Sequence, residues 1–187
     1  MYDRSKTIGA SDAVLIAAGQ WAELYDRKTS PDAPSYPLPA RIGHACEAVN
    51  REWFEQETNI RVDWLPEWQS KPITSEIYPW MKYLPDGLVE EDGLVVPWEG
   101  KAVNQMWQPH LLINKYTPQL LHQMRVMNAP FAYLSVLYLN TKWDYYKIEW
   151  DEPAADALLE QEKLFLWHLE EGIRPPEYKG KRKGWIE

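Results

Sequence analysis

The sequence holds one cysteine, Cys46, in 187 residues, which excludes an intrachain disulfide framework and any cysteine-rich zinc site. Phenylalanine is scarce too, three residues against eleven tryptophans and eleven tyrosines. The aromatic mass therefore carries polar handles, a balance suited to a partly wet groove or a subunit interface. No apolar run approaches the roughly 20 residues of a membrane helix, and even Phe131 to Leu139 is only strand-length. An N-terminal apolar segment of the secretory kind is also missing, so a cytoplasmic chain without a membrane partner is expected. Basic residues are the minority, 20 against 28 acidic, for a net charge of −8. That balance argues against coating nucleic acid by bulk electrostatics and leaves room only for a local basic channel.

What is present suffices for one packed core. At 45% hydrophobic and 26% charged, the chain reads as a single α/β (α+β) domain over 1–187, with a core over about 4–173 and a basic tail over 174–187. Asp151 to Ile173 carries seven acidic residues and one lysine, whereas Arg174 to Glu187 carries five basic and two acidic ones, so any phosphate contact is local. Internal repeats and low-complexity segments are absent.

The apolar spacing predicts a helix over Ser11–Arg27 with Ser11 or Asp12 as N-cap. A loop follows over Thr29–Pro39, rich in proline. A second helix over Arg41–Thr58 is expected to bury Ile42, Cys46, Val49, Trp53 and Phe54, with Glu47 close to that side. Extended segments are predicted over Ile60–Trp68, Trp80–Val89 and Gly93–Val103, with Glu90-Glu91-Asp92-Gly93 as a hairpin turn, together a central meander. A helix over Pro118–Asn128 has Pro118 in its first turn. Strands over Ala132–Leu139 and Asp144–Trp150 and a long helix over Pro153–Gly172 complete the chain.

The chemistry concentrates in Pro85-Asp86-Gly87 and Glu99-Gly100-Lys101. On adjacent antiparallel strands Asp86 and Glu99 approach each other, and Glu99 and Lys101 share a face because strand side chains alternate. Two close carboxylates in a partly desolvated site repel, and a hard divalent cation such as Mg²⁺ resolves the repulsion with oxygen ligands. The Gly100 carbonyl is a further ligand, and Lys101 is placed to orient or help deprotonate a water attacking a phosphodiester. On residue type alone Glu47 is an ordinary helix-face acid, Ser11 a plain N-cap, Arg4 a terminal residue and Gln119 a helix-surface amide. Trp80, Trp98 and Trp107 lie near the site in sequence, where they either stack on a frayed base or pack in the core.

Five motifs occur in one chain order: Arg4-Ser-Lys-Thr-Ile-Gly-Ala-Ser11, Gly43-His-Ala-Cys-Glu47, Pro85-Asp-Gly87, Glu99-Gly-Lys101 and Tyr116-Thr-Pro-Gln-Leu-Leu-His-Gln-Met124. Together they resemble the lambda-exonuclease and YqaJ-like viral recombinase family of PD-(D/E)XK nucleases, over about Arg4 to Trp150. The resemblance implies a restriction-endonuclease-like core, a mixed central β-sheet flanked by helices. It also implies a Mg²⁺-dependent 5′→3′ exonuclease on double-stranded DNA ends, with Mn²⁺ as a possible substitute and one or two ions per site.

By the same resemblance Asp86 and Glu99 match the metal carboxylates and Lys101 the catalytic lysine. Glu47 matches the helix-borne acid beside the metal, at a second ion or its water shell. Arg4, Ser11 and Gln119 match residues that hold the 5′-phosphate, with Tyr116, His122 and Gln123 in the same motif. A ring-shaped homotrimer, a single-strand-annealing partner and a phage or prophage origin in a bacterial host are further expectations. Two departures stand out: the chain is short, and Ala102 follows the lysine. A structure-specific or restriction-type endonuclease on the same core, or a non-catalytic DNA-binding scaffold, are the alternative readings. The Lys179–Lys183 cluster in the tail is either a phosphate contact or a solvated run.

Overall fold

Glycines and prolines punctuate the chain in the computed structural model, which describes residues 6–30, 37–69, 71–104, 108–139 and 142–177. Strand β1 (Ile8–Gly9) leads directly into α1 (Ala10–Ala17), and α2 (Trp21–Thr29) follows. The single helix expected over Ser11–Arg27 is therefore two, because Gly19 at φ 71° takes the left-handed conformation that ends a helix. The cap differs as well. Gly9 occupies the N-cap, and the Asp12 carboxylate reaches back to its backbone N–H at 2.8 Å, which leaves Ser11 exposed in the first turn.

Helix α3 (Leu38–Thr58) starts with a proline in its first turn and ends at Asn59, φ 57°. Its buried side is not the one the apolar stripe suggests. Asn50 and Phe54 are buried, whereas Ile42, Val49 and Trp53 are 40%, 53% and 43% exposed and Cys46 is half-buried. Phe54 lies edge-on to Trp98, Tyr133, Trp143 and Tyr145, and Asn50 beside it carries an amide that must be satisfied once buried. It donates to the carbonyls of Lys101 at 3.3 Å and Ser135 at 3.1 Å and accepts from the Ser135 hydroxyl at 2.7 Å.

The expected meander over 60–103 is divided differently. Asp63 makes an isolated antiparallel bridge to Leu88, and Pro66–Gln69 is a short 3₁₀ turn. Strands β2 (Ile73–Thr74), β3 (Met81–Tyr83), β4 (Gly87–Glu91) and β5 (Leu94–Val103) follow. Pro85 cannot donate to a ladder, so the segment read as one strand over 80–89 becomes β3 and β4 in two different sheets. The β4–β5 turn is the tight Asp92-Gly93 pair with both φ positive, 52° and 77°, the geometry a two-residue hairpin requires.

Helix α4 (Pro109–Met127) begins nine residues before the expected start, with Pro109 at the position that tolerates proline and Pro118 in the interior. An interior proline removes a helical hydrogen bond at a cost of about 3 kcal/mol or more; the unbroken buried run from Thr117 to Met124 outweighs it. Strands β6 (Phe131–Tyr138) and β7 (Lys142–Glu149) and helix α5 (Glu152–Glu170), capped by Asp151 accepting from Ala154 N–H at 3.0 Å, complete the fold.

Two mixed sheets result, with orders β1-β3-β2 and β4-β5-β6-β7; β5 and β6 are parallel and the flanking pairs antiparallel. Side chains alternate across β5, so Trp98 and Gly100 face α3, with Phe54 edge-on to Trp98 at 5.8 Å. Glu99 faces α4, where it meets Gln119 and Gln123. Trp98 is thereby 1% exposed and belongs to the core, not to a base-stacking surface. No helix among the described residues is long and apolar enough to cross a membrane.

Candidate active site

The β4–β5 hairpin register brings the two acidic motifs together. Gly87 pairs with Trp98, so Asp86, one residue before it, stands level with Glu99, and the Asp86 Oδ2 accepts the Gly100 N–H at 3.2 Å. The glycines of both motifs are sterically required. A Cβ on Gly87 would run into the Val62 side chain, and one on Gly100 would lie 2.9 Å from the Trp98 ring.

Glu99 is 2% exposed, and its charge is met by three donors. The Lys101 ammonium and the Gln119 amide, the latter at 2.5 Å, bind Oε1, and the Gln123 amide binds Oε2 at 2.5 Å. A carboxylate is tolerated in a protein interior when such partners meet it. The Tyr116 ring flanks the Lys101 ammonium, 5.3 Å from ring centre to nitrogen. Glu47 is half-buried on α3 and pairs with His44 at 3.1 Å.

The electrostatics are those of crowded carboxylates. Burial first, then the Glu99 charge and to a lesser degree Glu47, push the Asp86 carboxyl well above the usual aspartate range, while Lys101 and the Gly100 N–H work the other way. Burial works to lower the Lys101 ammonium, yet the Glu99 and Asp86 charges prevail and hold it above its ordinary value. Tyr83, which donates to the Met127 sulfur at 2.7 Å, is also raised, by burial and by the same two acids.

This donor set fits a hard divalent cation. Asp86, Glu99 and Glu47 are oxygen donors, the latter two close enough to Asp86 to disfavour its charge, and the Gly100 carbonyl follows Glu99 in sequence. Among the described residues no three His, Cys, Asp or Glu side chains form a ready cage. Oxygen donors of this kind suit Mg²⁺, which binds through one or two carboxylates and keeps several waters.

Of the residues singled out in the sequence, Asp86, Glu99, Gly100, Lys101, Tyr116 and Gln119 meet here, with Glu47 at the edge. Ser11 is exposed on α1, which packs on α4, whereas the Gln119 amide is directed to Glu99. Arg4, Trp107 and Lys179–Lys183 lie outside the described residues. His122 is fully buried, with Nδ1 2.7 Å from Glu162 and Nε2 3.1 Å from the Lys82 carbonyl. Asn50 and Arg51 escaped the sequence reading. Their signal was their spacing from Glu47, three and four residues on, which puts them on the same helix side.

No family model matches the chain, and no curated protein matches it. Solved structures do. The crystal structure of LHK-Exo in complex with dAMP superimposes with a TM-score of 0.68 at 19% identity, over 91% of each chain. That of an alkaline exonuclease (LHK-Exo) from Laribacter hongkongensis gives 0.64 at 16% identity over 91% of each. The crystal structure of SSO0001 gives 0.54 at 14% identity, over 95% of this chain and 82% of that one. The chain shares the fold of these alkaline-exonuclease structures, consistent with the lambda-exonuclease resemblance of its motifs.

Proposed function

We propose that the chain is a Mg²⁺-dependent 5′→3′ exonuclease that degrades one strand of duplex DNA from its ends. Its product is a 3′ single-stranded overhang for a single-strand-annealing recombinase of phage type. The alkaline-exonuclease fold supports a nuclease acting on DNA. One observation carries the reading furthest: Asp86 and Glu99 stand level across a hairpin, with Lys101 bonded to Glu99 on the same strand face.

Asp86, Glu99 and the Gly100 carbonyl would hold the cation, with Glu47 beside it. When bound, the ion supplies Lewis acidity at the phosphoryl group and acidifies water. Lys101, as an ammonium, orients the attacking water and helps present the hydroxide; Gln119 and Gln123 fix the Glu99 carboxylate by hydrogen bonds. Arg4, Ser11 and Gln119 bind the terminal 5′-phosphate by charge-assisted and helix N-terminal hydrogen bonds. A homotrimeric ring with a locally basic lining would reconcile a net charge of −8 with a DNA substrate. The site of action is the cytoplasm of a bacterial host.

Digestion of a linear duplex labelled at either end, in Mg²⁺, Mn²⁺, Ca²⁺ or EDTA and beside a closed circle, tests the proposal. Metal-dependent loss of the 5′ label with an intact circle is expected. Nicking of the circle makes the protein an endonuclease, and no cleavage with any metal removes the catalytic reading.

A further inference from the structure

Arg51 is held by a ring face and a main-chain carbonyl together, with no carboxylate partner among the described residues. Arg61, Arg125 and Arg174 each meet a carboxylate, Asp63, Asp156 and Asp26 respectively. The Arg51 Cζ lies instead 4.6 Å from the Trp64 ring centre, and Nη1 donates to the Asp86 carbonyl at 3.1 Å.

Both supports are built by the fold. Arg51 follows Glu47 by four residues on α3, so the two project from the same helix side. Trp64 is brought alongside by the Asp63–Leu88 bridge, whose two backbone hydrogen bonds of 2.8 and 2.9 Å lay residues 62–64 against β4 immediately after Asp86. The foremost charges acting on the Asp86 carboxyl are Glu99, Lys101 and Glu47. Arg51 thus binds the Asp86 peptide without serving as counter-ion to its side chain.

A guanidinium has five N–H donors in a planar fork. One here is used by a carbonyl, and the Trp64 ring beneath Cζ restrains the side chain further, so less conformational freedom remains to be lost when a second acceptor arrives. The acceptor that matches a pre-oriented fork in two parallel bonds is a carboxylate or a phosphate. Under the nuclease reading above, that acceptor is a phosphate of the nucleic-acid strand.

We propose that Arg51, braced by Trp64, is a phosphate-binding residue for the nucleic-acid strand that crosses the Asp86–Glu99 site. This rests on the nuclease reading above and adds to it a contact on the α3 side. Arg51 is a binding residue for the strand and takes no part in proton transfer.

The test is equilibrium binding of a 5′-phosphorylated duplex oligonucleotide in Ca²⁺, repeated across a salt series, for the wild type, Arg51→Met, Arg51→Lys and Trp64→Phe. A parallel readout is the rise in Tm that Ca²⁺ produces. Arg51→Met is expected to weaken binding on the order of tenfold near 0.1 M salt and to flatten the log–log salt slope by about 1. Arg51→Lys keeps the slope and loses affinity, because a point charge replaces the fork. Trp64→Phe carries the test where Arg51→Met fails to fold: the slope stays and affinity falls. The Ca²⁺ response is expected to be unchanged in every variant. Wild-type affinity and slope in both Arg51→Met and Arg51→Lys overturn the proposal. So does a lost Ca²⁺ response with DNA affinity intact, which would make Arg51 a brace for Asp86 alone. A wild type that neither binds nor cuts DNA brings down the nuclease reading itself, whereas a wild type that binds, with Arg51→Met indistinguishable from it, brings down only this inference.

Discussion

Asp86, immediately before β4, stands level with Glu99 on β5; burial and then the Glu99 charge raise the cost of ionising Asp86, whose carboxylate is held by the Gly100 N–H at 3.2 Å. That cost, burial first and repulsion second, is carried by the folded chain until a cation or a proton relieves it, and most of the expected behaviour of the site follows from that.

The apoprotein should lose stability as pH rises. Asp86 has a folded-state pKa above its ordinary 3.8, so its contribution is full below that value and is lost as pH climbs through the raised one. Melting curves in EDTA from pH 4 to 9 should therefore show a decline that Asp86→Asn removes. The amide retains an acceptor for the Gly100 N–H and carries no charge. Equal pH profiles for the two proteins would dismiss the repulsion.

Lys101→Ala should abolish cleavage, by a factor of about 10² or more, while duplex binding in Ca²⁺ persists. Some stability is also lost, since Glu99 is then left buried with two amides and no cation. Retention of full activity would end the assigned role of Lys101.

Gln123→Leu should destabilise the fold by about 1.5–3 kcal/mol, the worth of a hydrogen bond to a charged group, and shift the Ca²⁺ titration of Tm to higher concentration because Glu99 Oε2 loses its anchor at 2.5 Å. Denaturant melts with and without Ca²⁺ give both quantities. A stability loss without any change in the Ca²⁺ midpoint would confine Gln123 to packing.

A duplex with a 5′-hydroxyl end should be degraded more slowly than one with a 5′-phosphate, and Ser11→Ala should narrow the gap. Ser11 is exposed and the Gln119 amide is engaged with Glu99, so recruitment of Gln119 to a phosphate also loosens Glu99. Equal rates on both ends would remove Arg4, Ser11 and Gln119 from end recognition.

Local chemistry was legible where it was self-contained. The Asp92-Gly93 turn, the hydrophobic run of β6 and the Asp151-capped α5 lie where residue preferences put them. The boundaries of α1 and α4 were not, because Gly19 and Pro118 each admit two outcomes and tertiary burial chose between them. The α3 stripe misled for a related reason: Ile42, Val49 and Trp53 have helical spacing, but the side that faces the sheet is the one carrying Phe54 and Asn50, whose ring contacts and amide hydrogen bonds come from β5, β6 and β7.

The acidic pair and its lysine were determined by the sequence alone, since alternation along a strand places Glu99 and Lys101 on one face and two short motifs reach across one hairpin. Only the tertiary structure decided how those charges are tolerated. The partners of Glu99 on α4 come from 20 and 24 residues away, and the Asn50 that ties α3 to β5 from 51. Arg51 reaches Asp86 only because the Asp63–Leu88 bridge closes beside it. Burying a charge is too costly to leave to local sequence: its partners must converge from separate elements, and spacing within one segment cannot reveal them.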